Sequence, residues 1–154
     1  MGTTGTAGTT GTAGAAAAAG GANHERWQMA RKHVLAINDE PEFLDVVRQL
    51  LQDERYNVTT TNYVPRTFDL IAALAPDLLV VDLVVGRRAG WALLERLHAE
   101  AATRGIPVVV TSTDPRLLDR AQADAARYGA HPVLAKPLDV GGLLAAIHRR
   151  IGFA

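Results

Sequence analysis

The chain has 154 residues, 16 basic and 16 acidic side chains and no cysteine, the length of about one domain. Without thiols there is no disulfide framework, thiolate nucleophile or cysteine-bound metal centre. Zero net charge excludes a nucleic-acid binder that works by phosphate neutralisation, and no window holds the roughly 18 strongly apolar residues of a membrane span, so neither nucleic acid nor membrane is an expected partner.

Residues 1–22 consist of 7 Gly, 6 Thr, 8 Ala and one Met. Nothing there buries enough surface to offset chain entropy, so this segment is predicted to be a disordered tail. Its Ala15–Ala19 tract is weakly apolar with no basic residue before it, unlike a secretory signal, and a cytoplasmic location is expected. Residues 23–31 read as a polar linker and 32–152 as the folded domain.

From His33 onward, short β-branched runs alternate with segments of helical period. The predicted strands are His33–Ile37, Tyr56–Thr60, Leu78–Asp82, Val108–Thr111 and Val133–Ala135. The run Leu78–Val81 is continuously apolar, as a strand covered on both faces should be. The first helix follows Pro41, with Phe43, Val46, Val47, Leu50 and Leu51 on one face. The second lies near Thr67–Leu74. Trp91, Leu93, Leu94 and Leu97 mark the third, and Leu117, Leu118, Ala121 and Ala125 the fourth. Val140, Leu143, Leu144, Ile147 and Ile151 mark the last. Pro65, Pro76, Gly105, Pro107 and Gly129 punctuate the boundaries.

Five strands alternating with five helices imply an α/β fold, a doubly wound five-stranded parallel sheet with helices on both faces. Ligands of such sheets bind at the carboxyl ends of the strands. Strand one ends in Asn38, Asp39 and Glu40, strand three in Asp82, strand four in Thr111, Ser112 and Thr113, and strand five in Lys136 before Pro137. Carboxylates, hydroxyls and one ammonium therefore converge on one rim. No dinucleotide or nucleotide glycine loop accompanies them. An acidic rim of this kind suits a divalent cation such as Mg²⁺, which takes oxygen ligands and keeps several waters.

The runs VLAINDEP (Val34–Pro41), PDLLVVD ending at Asp82, Gly90-Trp91, IPVVVTST (Ile106–Thr113) and AKP around Lys136, in this order and spacing, resemble the receiver domain of bacterial two-component response regulators. The resemblance covers about residues 32–152 and implies a flavodoxin-like (βα)5 fold. It implies that Asp82 accepts a phosphoryl group from a histidine kinase or histidine phosphotransfer protein. It further implies that Asp39, Asp82 and the backbone carbonyl of Val84 ligate Mg²⁺, with Asn38 a weak or water-mediated ligand. Ser112 corresponds to the hydroxyl residue that contacts the phosphoryl group. Thr111 competes for that role, and counting from Pro107 favours Ser112. Lys136 corresponds to the lysine that pairs with the phosphoryl group, and its bond to Pro137 is typically cis in this family.

Three positions depart from the family pattern. Asn38 stands where most members have Asp, which removes one negative charge and predicts weaker Mg²⁺ binding. Gly86 stands where Pro is usual, followed by Arg87 and Arg88, read as a solvated loop or an electrostatic handle. Val133 stands where many members carry an aromatic residue. Trp91 reads as core packing. His24, His33, His98, His131 and His148 show no ligand spacing, and Arg116, Arg120 and Arg127 read as a solvated helix face.

The resulting expectation is a single-domain receiver that is not an enzyme in the ordinary sense, although it takes part in its own phosphorylation and dephosphorylation. It would signal through contact with a downstream protein, with a homodimer possible through the face around the fourth and fifth helices. The alternative is a pseudo-receiver scaffold independent of phosphorylation, which Asn38 and Val133 favour. An aspartate-nucleophile phosphatase would need a second Asp two residues after Asp82, where Val84 stands.

Overall fold

A computed structural model describes residues 31–62, 66–84 and 86–152. The chain divides into Met1–Arg31 and Lys32–Ala154. The tail and most of the linker, with His24, lie outside the described residues, as does Pro65.

The second unit contains β1 (His33–Ile37), α1 (Pro41–Asp53), β2 (Asn57–Thr61), α2 (Thr67–Leu74), β3 (Leu78–Leu83) and α3 (Ala89–Ala99). There follow β4 (Val108–Ser112), α4 (Pro115–Ala123), α5 (Ala125–Tyr128), β5 (Val133–Ala135) and α6 (Val140–Ile151). All strands pair in parallel, in the order β2-β1-β3-β4-β5. This is the doubly wound flavodoxin-like sheet expected from the alternation of apolar runs. No helix among the described residues is long and apolar enough to cross a membrane.

The period-two alternation of the strands sorts their side chains between two cores. Val34, Ala36, Leu78, Val80 and Val109 pack with Leu44, Val47 and Leu51 of α1 and Leu143 and Ile147 of α6. Leu35, Ile37, Leu79, Val81, Val108 and Val110 pack on the other face with Ile71, Leu94, Leu118 and Tyr128. Each fully buried aliphatic side chain contributes about 1.5–3 kcal/mol relative to exposure.

Several element ends differ from the sequence reading. The second strand starts at Asn57, because the Tyr56 amide N–H is held by the Leu51 carbonyl at the end of α1. The third and fourth strands each run one residue further, to Leu83 and Ser112. The fourth helix is broken at Asp124, whose ψ of 49° is not helical, so α4 and α5 are separate. Helix α1 buries Leu44, Val47 and Leu51, whereas Val46 is 64% exposed. The stripe at 44, 47 and 51 faces the sheet, and Phe43, Val46 and Leu50 lie on the neighbouring stripe. Those three side chains, with Pro137, Leu138 and Val140, line a groove of about 360 Å³. Val140 is likewise exposed, and Leu143, Ala146 and Ile147 form the buried face of α6.

Trp91 is buried, its ring centroid 4.7 Å from that of Tyr128. The guanidinium of Arg120 lies 4.7 Å over the Trp91 ring, and Arg127 pairs with Glu95. These two arginines are therefore tied to their neighbours, not simply solvated.

Candidate functional site

The two-residue period of the strands decides which polar side chains meet. Asn38 continues the side of Val34 and Ala36, Asp82 that of Leu78 and Val80, and Thr111 that of Val109. Register brings them together, because Ile37 pairs with Val81 and Asp82 with Thr111. Lys136 follows β5 and is anchored by its own N–H, which donates to the Ser112 carbonyl at 2.8 Å. The Lys136–Pro137 peptide is cis.

The centre is Asp82, whose side chain is 4% exposed. Its Oδ1 accepts from Lys136 Nζ at 2.8 Å and from Thr111 Oγ1 at 2.9 Å. The Lys136 side chain is 8% exposed, and its Nζ lies 4.1 Å from the centroid of the Phe43 ring. That ring face offers a second attraction to the ammonium. A buried carboxylate is stable only when paired and hydrogen-bonded, and Asp82 has both kinds of partner.

Ser112 sits differently. It shares the opposite side of β4 with Val108 and Val110. Its Oγ donates to the Leu83 carbonyl at 2.8 Å and accepts from the Asp114 N–H at 3.1 Å. The hydroxyl that touches the Asp82 carboxylate here is that of Thr111. The signal for this lay in the alternation of β4 taken together with its pairing to β3.

The remaining rim residues hold each other. Asn38 Oδ1 accepts from the Glu40 N–H at 2.8 Å. That bond identifies the oxygen, and Asn38 Nδ2 is buried without a hydrogen-bond partner. Asp39 forms a hydrogen-bonded ion pair with Arg87. The Val84 carbonyl accepts from the Arg87 N–H at 3.2 Å. Arg87, read from sequence as a loop residue, is thus part of the site; nothing in the spacing of the chain announces which carboxylate a long side chain will reach.

The chemistry of this donor set suits a hard divalent cation. Asp39 and Asp82 bring carboxylate oxygens and Val84 a carbonyl oxygen, the ligands that Mg²⁺ takes alongside its waters. Asn38 presents an amino group, which donates and does not ligate; its oxygen, the only atom that could serve a cation directly or accept from a cation-bound water, is taken by the Glu40 N–H. Among the described residues no group of three or more His, Cys, Asp or Glu side chains is placed to hold a metal by itself. A cation here would therefore depend on the carbonyl and on water as well as on the two carboxylates.

Comparison with known proteins addresses the family and the fold. A family model described as the response regulator receiver domain matches residues 34–148. The chain is 30% identical over 114 residues to the DNA-binding dual master transcriptional regulator RpaA of Synechocystis, a match covering 74% of this chain and 46% of that protein. It therefore spans less than half of that regulator. A response regulator protein from Burkholderia multivorans superposes with a TM-score of 0.63 at 28% identity, covering 77% of this chain and 94% of that one. The chemotaxis protein CheY4 of Vibrio cholerae shares the fold, with a TM-score of 0.67 at 22% identity over 79% of this chain and 99% of its own.

Proposed function

The chain belongs to the response regulator receiver domain family of two-component signalling, and from that premise we propose that Asp82 accepts a phosphoryl group from a phosphohistidine. The donor is a histidine kinase or a histidine phosphotransfer protein. The observation that carries the reading is the buried Asp82 carboxylate at the rim, held by both Lys136 and Thr111.

In this mechanism an Asp82 oxygen attacks phosphorus, the phosphorus–nitrogen bond breaks and the imidazole leaves. Phosphoryl transfer consists mostly of positioning and charge stabilisation. Lys136 supplies a fixed positive charge beside the carboxylate and, after transfer, pairs with a phosphoryl oxygen. Thr111 fixes the rotation of the carboxylate. The carboxylates of Asp39 and Asp82 and the Val84 carbonyl would hold Mg²⁺, with Asn38 contributing through water; the cation supplies charge that neutralises the phosphoryl oxygens. For Asn38 to contribute in that way, its Oδ1 leaves the Glu40 N–H and accepts from the water. Ser112 is the hydroxyl that turns from the Leu83 carbonyl to the phosphoryl group, so that phosphorylation changes the β4–α4 segment and the surface offered to a downstream protein. The same residues support autophosphorylation from small phosphodonors and hydrolysis of the aspartyl phosphate, in the cytoplasm where kinase domains work.

A second reading, an interaction scaffold that does not need phosphorylation, is favoured by the engagement of Asp39 with Arg87 and by the turn of Asn38 Oδ1 toward Glu40. Incubation with acetyl phosphate and Mg²⁺, followed by intact-mass measurement, separates the two. The receiver reading expects a gain of one phosphoryl group that Asp82→Asn abolishes. No adduct from acetyl phosphate or from a panel of phosphorylated histidine proteins supports the scaffold.

A further inference from the structure

Arg87 engages two of the three oxygen groups named above as cation ligands. Its guanidinium holds the Asp39 carboxylate, and its backbone N–H donates to the Val84 carbonyl at 3.2 Å. The turn that allows this runs through Gly86, whose φ of +76° is in the left-handed region. The Arg87 side chain is 62% exposed and that of Asp39 28%, so this pair is open to solvent whereas the Asp82–Lys136 pair is buried. A positive charge therefore rests on the carboxylate that a divalent cation needs.

We propose that Arg87 is an internal competitor of the divalent cation: it holds Asp39 in the cation-free protein and must release it before the cation binds. The inference rests on the cation site of the proposed function and assigns that site a device of its own. Two consequences follow from the geometry. Cation affinity is lower than the oxygen donors alone would give. Cation binding also frees the Arg87 side chain and weakens the bond from its N–H to the Val84 carbonyl, so Arg87 reports on the cation before any phosphoryl transfer. An exposed pair of this kind shifts a competing equilibrium by about two- to five-fold, given its screening by solvent. The small size of the effect suits a tuning role, since Asp39 is released without unfolding any element.

The test is a Mg²⁺ titration of the ¹⁵N-labelled full chain followed by amide and arginine side-chain NMR, with no phosphodonor present. Arg87→Gln removes the charge on an exposed loop. It is expected to tighten Mg²⁺ about two- to five-fold, while Arg88→Gln leaves the affinity unchanged. In the unsubstituted protein the Arg87 Nε–H resonance is expected to move with the same midpoint as the Asp39 amide. Unchanged or weaker affinity in Arg87→Gln, with Mg²⁺ still binding, overturns the competitor role and leaves the receiver reading standing. Saturating behaviour in neither protein overturns the cation site and the competitor role together.

Discussion

Thr111 Oγ1 donates to Asp82 Oδ1 at 2.9 Å across the β3–β4 pair, from a position with no exposed surface. A hydrogen bond to a charged group is worth about 1.5–3 kcal/mol, about twice a neutral one. Thr111→Val keeps the shape and removes the donor, so it is expected to lower unfolding stability by that amount. Thr111→Ser should recover most of it. Ser112→Ala removes a neutral bond to the Leu83 carbonyl and should cost about 1 kcal/mol. Urea unfolding of the three variants checks the order, and a larger loss in Ser112→Ala than in Thr111→Val would contradict it.

The Lys136–Asp82 pair is almost fully buried on both sides. Removing one member of such a pair costs about 3–5 kcal/mol, because the other charge is left in a poorly solvated place. Lys136→Met should therefore destabilise by about 3 kcal/mol in the parent chain and by much less in Asp82→Asn. A double-mutant cycle measured by urea unfolding gives the coupling directly. Equal losses in both backgrounds would mean that the pair is not coupled in solution.

Two histidines set an acidic limit to stability. Burial pushes His33 below the usual histidine value, against the partial opposition of Asp77. Burial also lowers His131, helped by the charges of Arg150 and His98 and opposed by its hydrogen bond to the Tyr128 carbonyl. Because these groups hold protons less tightly when folded, the unfolded chain protonates first as the pH falls through about 6.5. Their contribution to stability is complete above that pH and declines below it until the folded groups titrate as well. Thermal unfolding across a pH series should show Tm falling from neutrality towards pH 5. His131→Gln, which keeps a donor for the Tyr128 carbonyl, should flatten that slope; an unaltered slope would remove His131 from the account.

Legibility in the sequence followed the range of the interactions involved. The run Leu78–Val81 announced a strand buried on both faces, and its alternation with helical periods announced a parallel, doubly wound sheet. The rim residues were legible for the same reason, since strand ends locate them: Asp82, Asp39, Lys136 and Thr111 stand where the β-runs stop. Their contacts were less so. Which of Thr111 and Ser112 faces Asp82 depends on the pairing of Leu83 with Ser112, a relation between segments 29 residues apart. The partner of Arg87 depends on the turn at Gly86 and on a flexible side chain that reaches across to the loop after β1. In α1 the apolar residues are so dense that period alone did not separate the stripe facing the sheet from the one beside it.

That last ambiguity has an energetic consequence for two adjacent valines. Val47 is 2% exposed and packs in the core with Val34, Leu143 and Ile147, whereas Val46 is 64% exposed. Truncating a buried β-branched side chain loses its transfer free energy and leaves a cavity, so Val47→Ala should cost about 2 kcal/mol. Val46→Ala loses little burial and gains the higher helix propensity of alanine, about 0.5 kcal/mol, so its stability should be unchanged or slightly raised. Val46→Glu adds a charge at the edge of the groove beside Pro137 and should be tolerated to within about 0.5 kcal/mol, as surface substitutions are. Urea unfolding of the three variants decides between the two stripes, because a core-facing Val46 would make the glutamate the worst of the three, and a sheet-facing Val47 makes the alanine at 47 the worst.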